Sequence, residues 1–436
     1  MGFKKVAFLF LFELMFEISN LILPVPMHIK PPSLSPHTID SRKMIGYYTN
    51  WAQYRPTEGK FLPLDIDYFL YTHIVYSFLT IDVEFLELPD SKATYGFSLK
   101  LTEPNDISHF PIGYLIDVIN NAHQIGVKVI ISIGGKEFNQ RSGMSYWIWT
   151  TLCSEVKYRS QIITDIIHFV TKYGIDGVDI AWMWPNDHLT NQNLDGTFND
   201  DRDPLRCFLT ELRNSLNKLE NQELANSLAD SGEDLTISLM VSHDESKISD
   251  YYPEWSKINE VVDWIGVAAY DYHGSWENTT DSHTPMEADH ENRYSIKKTI
   301  QGYLDFGVPC EKIILGIATY GQGWSNVNEA KLGTMGYLPS PKGIYTRKNG
   351  IYSYYEIEQL VQDFGFYKYW DGLSQTPFIY SPDKKILITY EDTESLQKKI
   401  NYVIENFLGG TFIWPIDMDN FQAGNDLQVT LVANLM

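Results

Sequence analysis

The sequence predicts an α/β chain closed into a (β/α)8 TIM barrel with a small α+β insertion between strands 7 and 8. Three observations predict it. Eight short apolar, β-branched or aromatic runs recur, at 43–50, 72–79, 127–133, 175–182, 235–241, 264–270, 312–319 and 410–416. Their near-continuous apolar character is what parallel strands buried on both faces require. Segments of helical periodicity separate them, and the gap between the last two runs is too long for an ordinary loop. Parallel neighbours need right-handed crossovers, and eight tilted strands close into a packed cylinder. On the pattern alone, an open doubly wound sheet is the alternative.

In chain order, the 436 residues begin with Lys4 and Lys5 and an apolar stretch running to about Leu23, interrupted by Glu13 and Glu17. A basic start followed by a short apolar run predicts a secretory signal peptide over 1–23 and an extracellular protein. Pro24, Pro26, Pro31, Pro32 and Pro36 make 24–42 a linker, leaving 43–436 for the barrel. Amphipathic helices are predicted around 111–125, 158–172, 204–219, 289–306 and 393–407, the second carrying Ile162, Ile163, Ile166, Ile167 and Val170 on one face. The insertion is read over 322–390, with a strand at Ile351–Tyr355 and a hairpin at Phe378–Tyr390 turning through Ser381-Pro382-Asp383-Lys384. It would wall one side of the barrel mouth, where active sites of this fold lie.

Composition narrows the function. With 34 Lys plus Arg against 56 Asp plus Glu, the net charge is −22, which repels phosphate backbones and anionic lipid heads. No local basic patch offsets it, so neither nucleic acid nor a membrane surface is an expected partner. The 28 Tyr, 22 Phe and 11 Trp point to large flat side chains that serve a core and also grip neutral ligands. No CxxC or HExxH run is present, so no metal site or cofactor is expected. Cys153, Cys207 and Cys310 allow at most one disulfide. Asn278-Thr279-Thr280 is a glycosylation sequon in keeping with secretion.

The most informative segment runs from Asp176 to Pro185, DGVDIAWMWP. At strand period two, Asp179, Ala181 and Met183 share one face and Val178, Ile180 and Trp182 the other. The first set would line the barrel interior near its carboxyl end. This segment resembles the DGxDxDxE strand of glycoside hydrolase family 18, the chitinases and chitinase-like lectins. GYYTNWAQYRP at 46–56, SIGG at 132–135, AYDYHGSWE at 269–277, GIATYGQGW at 316–324 and GGTFIWPIDMDNF at 409–421 resemble the same family in its order and spacing.

The resemblance implies a substrate-assisted mechanism rather than the usual carboxylate pair. The final Glu of the motif protonates the glycosidic oxygen while the sugar's acetamide attacks, and the preceding Asp orients that acetamide. Met183 stands at the Glu position and Ala181 at the Asp position. A thioether cannot donate a proton. Losing a positioned acid costs roughly 10² to 10⁴ in rate, and losing an electrostatic stabiliser about 10² to 10³, with the two coupled. Asp176 and Asp179 survive, Asp176 as a cap or brace at the strand end. For Asp179 a buried structural role and a ligand role both stand open.

Matching motifs also place candidate sugar-binding residues: Tyr47, Trp51, Phe78, Asp179, Tyr270, Asp271, Tyr320 and Trp414, with Trp414 as the floor beneath the sugar. Core filling is the alternative for each ring. Lys136 stands where a Trp usually follows SxGG, Gln322 where an Arg usually follows TYG, and Ala268 where a Met commonly precedes AYD. Gly46 and Tyr71 replace two cysteines that tie the first two strands in many animal relatives. The reading that follows is a secreted chitinase-like protein that binds chitin or chitooligosaccharides without hydrolysing them. Two alternatives remain at this level: an altered hydrolase in which Asp271, Glu137 or Asp417 supplies the acid, and a scaffold that binds protein partners.

Overall fold

The computed structural model describes residues 42–435 apart from 88–92, 109–112, 140–144, 187–199, 226–234, 252–254 and 289–293. The predicted leader at 1–23 and almost all of the 24–42 linker lie outside the described residues.

Eight strands form the barrel: β1 (Lys43–Thr49), β2 (His73–Glu87), β4 (Lys128–Gly134), β5 (Gly177–Ala181), β6 (Thr236–Val241), β7 (Trp264–Val267), β8 (Ile313–Ala318) and β14 (Gly410–Trp414). Each falls on one of the eight predicted runs. All neighbouring pairs are parallel, in the order β1-β14-β8-β7-β6-β5-β4-β2, and β2 pairs with β1 to close the cylinder. Strand parity then divides the core. Ile45, Val75, Ile130, Met240, Trp264, Ile314 and Phe412 fill the interior. Their neighbours Met44, Ile74, Val129, Ile131, Ile265, Ile313 and Ile413 pack outward in the core layer beneath the helices.

Helices at Tyr114–His123, Val156–Tyr173, Arg202–Ala225, Ile296–Asp305 and Thr393–Glu405 answer the five predicted ones. Three local signals set their ends. Gly174 closes the second in a left-handed conformation (φ 66°), Ser295 caps the fourth through Lys298 N, and Asp392 caps the last through Glu394 N and Ser395 N. Between β1 and β2 the crossover is made of short 3₁₀ turns from Asn50 to Leu70, a stretch broken by Pro56 and Pro63.

Two features depart from the sequence reading. β2 runs on past residue 79 to Glu87 and pairs antiparallel with β3 (Ala93–Leu101), whose Phe97 N and Leu99 N donate to Gln161 and Asp165 of the helix Val156–Tyr173. The run Ile351–Tyr355 is a strand only as far as Ser353, because the Ser353 side chain and Glu356 form a reciprocal capping box that starts a helix at Tyr354. That helix, Tyr354–Asp363, connects two strands of a second, antiparallel sheet: β9 (Tyr320–Trp324), β10 (Ile351–Ser353), β11 (Tyr367–Asp371), β12 (Thr376–Ser381) and β13 (Ile386–Thr389), in the order β10-β9-β13-β12-β11. The β12–β13 hairpin is the predicted one.

The tie between β1 and β2 is made by packing. A Cβ on Gly46 would lie 2.7 Å from the Tyr71 ring, so the ring occupies the space beside the glycine. The seam between β1 and β14 is equally tight. Gly410 has φ 141°, and a Cβ there would meet the Lys43 carbonyl oxygen at 2.0 Å.

Gly410→Ala therefore places a side chain in both a strained conformation and an occupied space, and should lower unfolding free energy by at least about 1–3 kcal/mol in denaturant titration. Gly372→Ala, with nothing within 4 Å, should change it little.

Candidate functional site

The carboxyl ends of the barrel strands bring most of the predicted residues together. Tyr47 of β1 faces inward, its ring 5.1 Å from Phe412 and 5.8 Å from Trp414. Trp51, just past β1, stacks on Phe78 at 5.9 Å, and Trp414 closes the group at 5.5 Å from Phe78 and 6.2 Å from Trp51. Trp51 is 38% exposed, so the group opens to solvent. Gly135 makes room for it: at φ 92°, its absent Cβ would fall 2.7 Å from the Phe78 ring. The loop after β14 is braced from below, where Thr49 Oγ1 donates to Asp417 Oδ1 at 2.6 Å and the Arg55 guanidinium pairs with the same buried carboxylate. The peptides Ser77–Phe78, Met183–Trp184 and Trp414–Pro415 are cis.

A second group forms opposite. Tyr270 stands edge-on to Tyr320 at 6.2 Å and to Phe412 at 6.1 Å, which joins the two groups through the barrel floor. Asp271, in a left-handed conformation (φ 58°), accepts hydrogen bonds on Oδ1 from the Tyr320 hydroxyl and Gln322 Nε2, both at 2.7 Å. Lys136 Nζ lies 3.5 Å from its Oδ2. Burial alone would raise the Asp271 pKa, but Lys136, His283 and the two donors outweigh it and hold the carboxyl below its ordinary range. His283 is buried against Tyr320 at 5.3 Å, and burial lowers its pKa to about 4.

Strand β5, the fourth of the barrel, supplies the floor between these groups. Ala181 and Met183 lie with Met240, Ala268 and Tyr270 in one apolar cluster inside the barrel, on the face that strand parity assigns them. Asp179 lies deeper, fully buried. Ser132 Oγ of β4 donates to its Oδ2 at 2.6 Å, Ser238 Oγ of β6 to its Oδ1 at 2.7 Å, and the Tyr47 hydroxyl bonds it from β1. Burial raises the Asp179 pKa, and the three hydroxyls oppose that rise. Both oxygens are thus committed to the barrel, which favours the structural role for this residue.

Two predicted residues lie elsewhere. Asp176 sits just before β5, at the far end from the mouth, where its Oδ2 accepts Val129 N at 2.6 Å and meets His123 Nε2 at 2.8 Å; it braces the strand ends. Asn278 is exposed in the loop after β7, its carbonyl accepting Gly336 N at 3.0 Å. Sequence reasoning missed Ser132, Ser238 and His283. The inward positions of β4 and β6 could have revealed the two serines, whereas His283 lies in a loop without periodicity. Lys136 and Gln322 were read only as lost family residues, and the structure makes them partners of Asp271. Among the described residues no group of three His, Cys, Asp or Glu side chains could hold a metal ion.

A closed parallel barrel with an aromatic mouth and an inward Asp on its fourth strand, β5, has the architecture of a barrel glycosidase. The family model for glycosyl hydrolases family 18 matches residues 43–419, and the chain belongs to that family. Chitinase A1 of Niallia circulans is 26% identical over all of this chain and 63% of its own length. The oviduct-specific glycoprotein of Mesocricetus auratus is 27% identical over 89% of this chain and 52% of its own. The chain therefore spans less than two thirds of these relatives. Among solved structures, the Ostrinia furnacalis Group II chitinase catalytic domain 2 superposes with a TM-score of 0.78 at 26% identity, covering 91% of this chain and 97% of that one. Human YKL-39, described as a pseudo-chitinase with retained chitooligosaccharide binding properties, gives 0.75 at 25% identity, covering 90% and 99%. The similar proteins thus include both chitinases and one described as a pseudo-chitinase.

Beyond Met183 the chain is held by Asp201, whose Oδ2 accepts Asn186 N at 2.9 Å, and burial raises the Asp201 pKa to about 7. A carboxyl raised on folding contributes stability below its unfolded pKa near 4, and that contribution is lost as pH rises to about 7. Asp201→Asn should therefore flatten the decline in unfolding free energy across that window in denaturant titrations.

Proposed function

We propose that this chain is a secreted chitinase-like protein that binds chitin or chitooligosaccharides and does not hydrolyse them. The observation that carries this reading is strand β5 and the residues just past it. Where the family resemblance puts the acid and the acetamide-orienting Asp, Met183 and Ala181 lie in an apolar cluster, beside an aromatic group that keeps its solvent opening. Flat rings suit the apolar faces of N-acetylglucosamine units, with polar tips for hydroxyl and acetamide groups. In this reading Tyr47, Trp51, Phe78, Tyr270, Asp271, Tyr320 and Trp414 line the cleft, and Asp179 positions the strand.

The three carboxylates that could stand in for the acid are otherwise engaged. Asp271 is held ionised, Asp417 is buried against Arg55 and Thr49, and Glu137 points into solvent with Lys348 3.9 Å away. A general acid must carry a proton at working pH. Secretion rests on the 1–23 leader, and in keeping with it Asn278 is the proposed glycosylation site. No described helix is long and apolar enough to cross a membrane. The 322–390 segment is the proposed insertion domain, walling the cleft.

Chitin beads should retain the folded protein, calorimetry with a chitin hexamer should show saturable binding, and a fluorogenic chitobioside should be hydrolysed no faster than in buffer. Trp414→Ala should weaken hexamer binding at least about tenfold, or 1.4 kcal/mol. Absence of binding at millimolar hexamer would overturn the reading. Ala181→Asp combined with Met183→Glu should raise hydrolysis by at least about 10². No gain despite intact binding would place the lesion outside these two positions.

A further inference from the structure

A cavity of about 250 Å³ lies where the β1 loop, the helix Tyr354–Asp363 and the loop after β14 converge. Its chain segments continue from the mouth: Glu58 follows Arg55 by three residues and Asn420 follows Asp417 by three, past the Arg55–Asp417 pair. Three rings form its walls. Tyr345 and Tyr355 lie 5.6 Å apart at 59°, and Phe421 meets Tyr355 at 5.9 Å and 87°.

The polar lining decides what can enter. Glu58, Gln359 and Gln362 offer carboxylate and amide groups, both accepting and donating, whereas no Lys, Arg or His lines the cavity. The second carboxylate, Glu358, is already matched by Lys368 Nζ at 2.7 Å. Among the described residues a phosphate or carboxylate ligand would find no uncommitted cation, since Arg55 beside Tyr355 is paired with Asp417 and Lys368 with Glu358. A metal ion would find too few ligands, since the described residues hold no cluster of three ligating groups. The volume falls below the roughly 300–1,000 Å³ of drug-sized pockets, which leaves room for one ring. Aromatic walls with mixed carboxylate and amide groups match a compact polyol, whose hydroxyls both donate and accept.

We propose that this cavity is a second glycan contact, separate from the cleft, that holds one neutral pyranose ring. The Thr57 hydroxyl, hydrogen-bonded to Glu58, helps hold that carboxyl below its ordinary range, so it presents an acceptor to the ring.

The test is saturation-transfer NMR on the full chain with methyl N-acetylglucosaminide at about 20 mM, well above a millimolar Kd. Transfer to the sugar is expected in the wild type and in Trp414→Ala. In the Trp414→Ala background, Glu58→Ala combined with Gln359→Ala should weaken it at least about tenfold, and Ala423→Trp, which fills the cavity, should abolish it. Hexamer retention on chitin reports on the cleft in the same samples, and an unchanged thermal midpoint reports on folding. No transfer to the folded wild type overturns the proposal. So does transfer that Trp414→Ala removes and Ala423→Trp leaves intact, because the ring would then lie in the mouth. Should Ala423→Trp fail to fold, an unweakened signal in the Glu58 and Gln359 double variant of the same background overturns it equally.

Discussion

Asp179 is a fully buried carboxyl whose hydrogen bonds reach three other strands. Ser132, Ser238 and Tyr47 each donate to it, and Ser132, Asp179 and Ser238 sit at matched register on adjacent strands. A parallel strand could slide along its neighbours while keeping backbone pairing, but a two-residue slip would leave a buried carboxylate without donors. Such a group costs several kcal/mol. The knot therefore fixes the height of β5 inside the cylinder. Everything further along that strand inherits the height, including the position at which Ala181 and Met183 face the proposed cleft.

The mouth is built in layers from that reference. Phe412 lies between Tyr47 and Tyr270, so the two aromatic groups are coupled through one ring rather than through the loops that carry them. The loops are fixed separately: Asp417 draws Thr49 and Arg55 to the loop after β14, and Asp271 draws Tyr320 and Gln322 of the second sheet toward the end of β7. Apolar packing sets the spacing of the rings and charged hydrogen bonds set the loops. Neither depends on the two absent carboxylates, which is why a chain without them keeps the architecture.

Much of this was legible in the sequence because parallel strands buried on both faces leave unbroken apolar runs, and period two along β5 assigns its faces without further information. The extension of β2 alternates Ile81, Val83 and Phe85 with Asp82 and Glu84, the pattern of a half-exposed strand, and so fell outside a reading built on unbroken apolar runs. The helix at Tyr354 was hidden because Ile351, Tyr352, Tyr354 and Tyr355 read as strand residues, although Ser353 and Glu356 carried the capping signal. In the site, the single residues were readable from motifs but their partnerships were not. Asp271 meets Tyr320 and Gln322 from 49 and 51 residues away, across loops with no periodicity.

The Gly46–Tyr71 contact has a consequence for how the protein is made. This chain presses a ring against a bare backbone between its first two strands, and Cys153, Cys207 and Cys310 are all free thiols. No described element of the barrel waits on an oxidant or on disulfide reshuffling, steps that take seconds to hours. At this seam the two strands are held by packing rather than by a covalent bond, so a reducing agent leaves the contact intact.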